Sequence, residues 1–155
     1  MHSDLKQVTE ISGAVNLYDT EILISDDTNL LYFYQNKKLT QNIKVPAGLK
    51  DPEAICLVTK KNNKSNLAIY GNGIITLVQL QFFQGEFTLN KNYSQKYELP
   101  LQEKKKIEAL EYCPDKKIFV LIDRRKKDNY KLGKGIIYEY NPVTNNFIAT
   151  GARVG

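Results

Sequence analysis

Two short stretches place a glutamate directly before an alanine and an aliphatic residue: Glu53-Ala54-Ile55 within PEAICLV (52–58) and Glu108-Ala109-Leu110 within IEALEYC (107–113). Each is followed by a second apolar burst, NLAIYGN (66–72) and KIFVLID (117–123). A carboxylate on a strand that packs against others is costly without a partner. Two of them invite three readings. They can ligate a hard cation, since calcium takes about six to eight oxygen ligands. They can act as paired carboxyl groups in glycoside hydrolysis. They can also be neutralised by a neighbouring Lys or Arg. Asp27, Asn72 and Asp123 end the second burst of successive repeats. With Glu53 and Glu108 they would make a ring of oxygen ligands at one mouth of a channel. The competing reading is that Asp and Asn stand there because they form turns.

Nucleophilic catalysis finds no support in the sequence. The single histidine is His2, close to the first residue, and no serine lies in a G-x-S-x-G elbow. A cysteine without a second histidine does not make a thiol protease. The GNG at 71–73 and the GKG at 133–135 lack a strand-to-helix context and read as hairpin or loop glycines.

The candidate residues belong to a repeat. ISGAVNL (11–17), DPEAICL (51–57) and KIEALEY (106–112) align, placing Gly13, Glu53 and Glu108 at one position, with spacings of 53 − 13 = 40 and 108 − 53 = 55 residues. EILISDD, NLAIYGN and KIFVLID follow, and then NLLYFYQ, GIITLVQ and GIIYEYN. Each unit ends in a weaker fourth run, at 38–45, 86–93 and 145–151. The runs are short, rich in Ile, Leu, Val, Tyr and Phe, and bounded by Asn, Asp, Gly and Lys, as strands are. None keeps a 3.6-residue apolar period. The expected fold is all-β: a β-propeller-type repeat of three four-stranded antiparallel blades, a half or partial propeller. A sandwich or barrel is the alternative. The 155 residues form one domain, with blades at about 11–45, 51–93 and 106–151. The first strand of each blade would line the channel, with Ala54 and Ala109 small where strands crowd.

The chain is 42% hydrophobic and 25% charged, near globular averages. No apolar run reaches the roughly 20 residues of a membrane helix, and MHSDLKQVTE lacks a signal-peptide core. A cytoplasmic protein is expected, unless a signal was removed before residue 1. The net charge of +5 sits largely in Lys- and Asn-rich stretches such as KKNNKSN (60–66). These read as solvated loops. No aromatics are interleaved as a single-strand nucleic-acid platform needs, which argues against nucleic acid. Cys56 and Cys113 have no metal spacing and read as small hydrophobes.

ISGAVNLYDTEILISDDTNLLYFY, followed by the Glu-Ala step, resembles the six-bladed bacterial propellers grouped with SdiA-regulated and phytase-like proteins, over about residues 10–142. The resemblance implies calcium as a cofactor, with Glu53 and Glu108 as ligands and Asp51 beside the first of them. Gly13 and Lys106 depart from the pattern, because neither supplies the acid expected there. Six blades at about 40–45 residues each need about 250 residues, and three are present here. Three blades alone leave apolar faces and strand edges open. The sequence therefore points to a binding module of unknown ligand, completed by a second copy or by further blades. The alternatives are a calcium-dependent phytase-like or lactonase-like hydrolase and a structural or protein-interaction propeller. In a homodimer, residues 5–11 would latch onto the 145–151 region of the partner.

Overall fold

The computed structural model describes residues 10–25, 28–45, 49–100, 107–123 and 135–154. Thirteen strands occupy most of them, and no helix occurs among the described residues. The first blade is β1 (Ile11–Leu17), β2 (Thr20–Ser25), β3 (Leu30–Gln35) and β4 (Lys38–Lys44), in the sheet order β1-β2-β3-β4. The second is β5 (Pro52–Lys61), β6 (Lys64–Gly71), β7 (Ile74–Phe83), β8 (Glu86–Leu89) and β9 (Gln95–Glu98). The third is β10 (Ile107–Cys113), β11 (Ile118–Asp123), β12 (Gly135–Asn141) and β13 (Asn146–Val154). Every pairing is antiparallel between sequence neighbours, save that β8 and β9 both pair with β7. The sequence reading expected one fourth strand over 86–93. The chain instead turns at Asn90, whose backbone carbonyl accepts the Tyr93 N–H, and returns to β7 as β9.

Turn chemistry fixes these meanders. Tyr18–Asp19, Asn36–Lys37, Asn72–Gly73 and Gln84–Gly85 are two-residue connections in which both residues have positive φ. That is the type I′ geometry whose twist matches antiparallel strands. The third blade uses longer turns. Lys117 and Asn145 close them, with φ of 56° and 60°, donating to the carbonyls of Cys113 and Asn141.

The blades stack face to face. Ile22, Ile24, Leu31 and Phe33 of the first meet Ile55, Leu67, Ile69, Val78 and Leu80 of the second. The second turns its other face, Cys56, Ala68, Tyr70 and Leu77, to Leu110, Phe119, Leu121, Tyr138 and Tyr140 of the third. This explains the continuous apolar runs of β2 and β6. Alternation sends successive residues to opposite faces, and in β6 both faces are covered.

Polar clips join the first two blades. The Gln41 side-chain amide donates to the Phe87 carbonyl at 2.9 Å and accepts the Phe87 N–H at 2.8 Å, imitating a strand partner. The Ser12 hydroxyl donates to the Pro52 carbonyl at 2.5 Å, and the Tyr18 hydroxyl to the Asn62 carbonyl at 2.5 Å. Tyr18 also stacks on Phe82 at 4.5 Å, with the Lys60 ammonium 4.2 Å from the Tyr18 ring centroid.

The inner strands form an arc rather than a ring. β1 lies beside β5 and β5 beside β10, whereas the described residues of β1 and β10 make no contact. Meander sheets of four strands, stacked face to face with their first strands side by side, define a propeller-type repeat protein of three blades.

Candidate functional site

Each inner strand begins with the same irregularity. Ile11 pairs with Ser25 and Gly13 with Ile24, leaving Ser12 as the extra residue. Pro52 pairs with Gly71 and Ala54 with Tyr70, leaving Glu53. Ile107 pairs with Asp123 and Ala109 with Ile122, leaving Glu108. These are β-bulges, in which one residue is pushed out of the ladder. The sequence alignment is therefore corrected by one residue in its first repeat. Ser12, not Gly13, is equivalent to Glu53 and Glu108, while Gly13 matches Ala54 and Ala109. The slip matters because side chains alternate, so one residue changes the face.

The bulge also answers why an acid is tolerated there. Glu53 and Glu108 are exposed, so neither carries the burial cost expected of a glutamate on an inner strand. Ala54, the next residue, is only 4% exposed and packs in the core.

The ends of the second strands are also re-registered. Ser25, Gly71 and Asp123 face the same inner-strand position, so Asp123 is not the counterpart of Asn72. The cause is loop length: two residues separate β6 from β7, whereas eleven separate β11 from β12. Asn72 is the first residue of a type I′ turn. Asp27 lies outside the described residues.

Asp123 is fully buried (0% exposed) at the end of β11. Together with Glu53 it acts on Tyr70, 2% exposed on the adjoining blade. Burial raises the pKa of the Tyr70 phenol, a backbone hydrogen bond with Gly73 opposes this, and the charges of Asp123 and Glu53 raise it further. Tyr70 thus lies within the electrostatic reach of both Asp123 and Glu53. Asn72 faces the junction of the first and second blades.

Among the described residues of the expected set, Asn72 and Asp123 therefore do not hold equivalent positions. Calcium demands about six to eight oxygens. Among the described residues no three Asp, Glu, His or Cys side chains gather to hold a metal. Glu53 and Glu108, exposed on separate bulges, do not by themselves fit that demand.

The sequence reading missed a large concavity. A cavity of about 1110 Å³ opens between the first and second blades, lined by Thr28, Asn29, Lys44, Lys50, Asp51, Asn72, Thr76 and Lys96 among others. Leu49, Ile69 and Ile74 add apolar residues to its lining. Asp51 holds a φ of 47° outside any two-residue hairpin. Gly71 lies so close to this segment that a β-carbon on it would collide with the Lys50 carbonyl oxygen and stand 2.9 Å from that of Asp51. Thr76 also borders a second cavity of about 270 Å³, lined by Val45, Leu77, Val78, Leu89 and Tyr93. The lysines were legible only as members of polar runs. Nothing in their spacing says that strand ends from two blades bring them together.

The class that this architecture defines is a propeller-type repeat. No protein-family model matches the chain, and no curated protein matches it. Among solved structures it is similar to the Neurospora crassa Pan2 WD40 domain, with 12% identity and a TM-score of 0.46, over 93% of this chain and 35% of that one. The chain thus spans about a third of the length of that structure.

Proposed function

We propose that the chain is a propeller-type binding module that closes its ring with a second copy of itself. One observation carries this reading: the outward face of the third blade is open. Phe119, Leu121, Tyr138 and Tyr140 point to the second blade, so alternation turns Val120, Ile122 and Ile137 outward. All three are only half-buried, and Ile148, paired with Glu139 on that side, is 57% exposed. At the other end of the arc, the outward face of the first blade carries a separate apolar cluster, in which Leu23 and Tyr32 are buried and Leu30, Tyr34 and Leu39 are half-buried and available to a partner. Two copies related by a twofold axis along the channel would bring each third blade against the partner's first blade, twice. The contact repeats the blade stacking already present within the chain. The proposed latch from residues 5–11 falls largely outside the described residues. Its last residue, Ile11, starts β1.

Light scattering tests the reading. The expected mass is 2 × 17.8 = 35.6 kDa, falling to 17.8 kDa in an Ile122→Asp, Ile148→Asp variant. A wild-type monomer that binds no apolar dye would refute it. A monomer that does bind dye would instead assign that face to further blades or to a different partner.

A further inference from the structure

We propose that the cavity between the first and second blades is a binding site for a small organic phosphate, with the phosphate at the lysines and an apolar group in the adjoining smaller cavity. This inference is independent of ring closure, because every wall of the site comes from one chain.

The donor count is the first reason. Among the described residues, the cavity is lined by Lys44, Lys50 and Lys96 and by one acidic residue, Asp51. Asn29 and Asn72 add amide donors, and Thr28 and Thr76 add hydroxyls. A wall with many donors and a net positive charge is matched by an oxyanion, and lysine serves phosphate as a point charge.

The second reason is preorganisation. Lys50 and Asp51 are held by their main chain, since their carbonyls press on Gly71 where no β-carbon fits. Asp51 keeps a left-handed backbone, a conformation that strains most residues and collects at functional sites. The lysine-bearing rim is therefore pinned to β6 rather than left as a free loop.

The third reason is size and shape. About 1110 Å³ is well beyond an inorganic ion and slightly above the roughly 300–1,000 Å³ of small-molecule sites, so a ligand larger than phosphate itself fits. A second cavity of about 270 Å³ shares Thr76 with it and is lined by Val45, Leu77, Val78, Leu89 and Tyr93, with Asn90, Lys91 and Ser94 beside them. It offers an aryl or acyl group an apolar seat next to the charged one.

Amide chemical-shift titration of the full chain tests this with two probes, inorganic phosphate and phenyl phosphate. Both are expected to shift the amides of Asn29, Lys50, Gly71 and Asn72. Phenyl phosphate is expected to bind more tightly and to extend the shifts to Leu89–Tyr93. Lys44 and Lys50 are exposed, so the Lys44→Ser, Lys50→Ser variant keeps its fold, checked by an unchanged melting temperature. It should weaken both probes about five- to tenfold, in keeping with the removal of two surface-type charge contacts. Lys61→Ser, Lys64→Ser removes the same charge from the far end of the second blade and should leave binding unchanged. Equal weakening in the two variants would reduce the effect to bulk charge and overturn the site. Absence of shifts at tens of millimolar phosphate would also overturn it. Equal affinity for the two probes would overturn the apolar seat.

Discussion

Replacing Gly71 by alanine tests whether the rim of the large cavity is fixed by a backbone contact. Gly71 ends β6, and neither it nor Gly13 has a left-handed backbone, so alanine is conformationally allowed at both. On that ground alone each substitution would stabilise by about 0.4–1 kcal/mol, through the unfolded chain. The surroundings then separate the two. At Gly71 the new methyl meets the carbonyl oxygens of Lys50 and Asp51 and, at 3.1 Å, the Asp51 carbonyl carbon. All three are main chain and cannot rotate away. Overpacking of this kind costs about 1–3 kcal/mol. Subtracting the gain leaves a net loss of about 1–2 kcal/mol, or about 2–8 °C in melting temperature for a chain of this size. At Gly13 the nearest atoms are the Ile24 Cδ1 and Cγ1 and the Ile55 Cγ2, each at 3.2 Å. Those are side-chain atoms at a longer distance rather than main chain in collision, so Gly13→Ala should cost less than Gly71→Ala, by about 1 kcal/mol or more. Thermal melts and urea titrations of both variants measure the difference. If Gly71→Ala is as stable as Gly13→Ala, the Lys50–Asp51 segment is not pinned against β6, and the preorganised rim falls with it.

Three further outcomes are expected. Gln41→Ala should cost about 1–3 kcal/mol in urea unfolding, because it strips both hydrogen-bond partners from the buried Phe87 backbone, and Gln41→Glu should not restore them, since a carboxylate cannot donate to the carbonyl. Burial, and then the charge of Glu111, push the Cys56 thiol from 9.0 up to about 12, so a thiol reagent at pH 8 should label half-buried Cys113 well before Cys56. The raised value favours the protonated thiol in the folded chain, so this contribution, about 4 kcal/mol at most, is complete below pH 9 and is lost as pH rises through about 12; a Cys56→Ala variant should show a correspondingly flatter decline. Calorimetric titration with calcium should show no saturable site tighter than millimolar, and a tight site lost in both Glu53→Gln and Glu108→Gln would support the metal-dependent hydrolase reading instead.

The strands were legible because each level of the sequence agrees. LLYFYQ, KIFVLID and GIIYEYN combine β-branched and aromatic content with short length, and Asn, Asp and Gly punctuate them. The burial of β2 and β6 on both faces was legible for the same reason. β9 was not, since QKYE has no apolar alternation and owes its place to pairing with Ile74–Leu77, a tertiary effect. The candidate site was harder still. Glu53 and Glu108 were correctly seen as equivalent, but a bulge carries no residue signature here: Ser12, Glu53 and Glu108 share a backbone position and no side-chain chemistry.

That shared position connects architecture to recognition. An inner strand without a bulge would alternate strictly, and the residue before Ala54 would be committed to one face of a crowded sheet. The extra residue releases it. In the first blade the freed side chain is Ser12, which binds the Pro52 carbonyl and ties two inner strands together. In the second and third it is a glutamate held out to solvent. The same backbone device thus serves stacking in one blade and surface charge in the others. Directly after Glu53, the strand carries Ala54 and Cys56 toward the third blade and Ile55 toward the first. Directly before it, Lys50 and Asp51 press on Gly71 and wall the large cavity. A lysine rim, a buried core strand and an exposed acid can therefore follow one another within seven residues, because a left-handed residue at Asp51 and a bulge at Glu53 reset the side-chain direction twice.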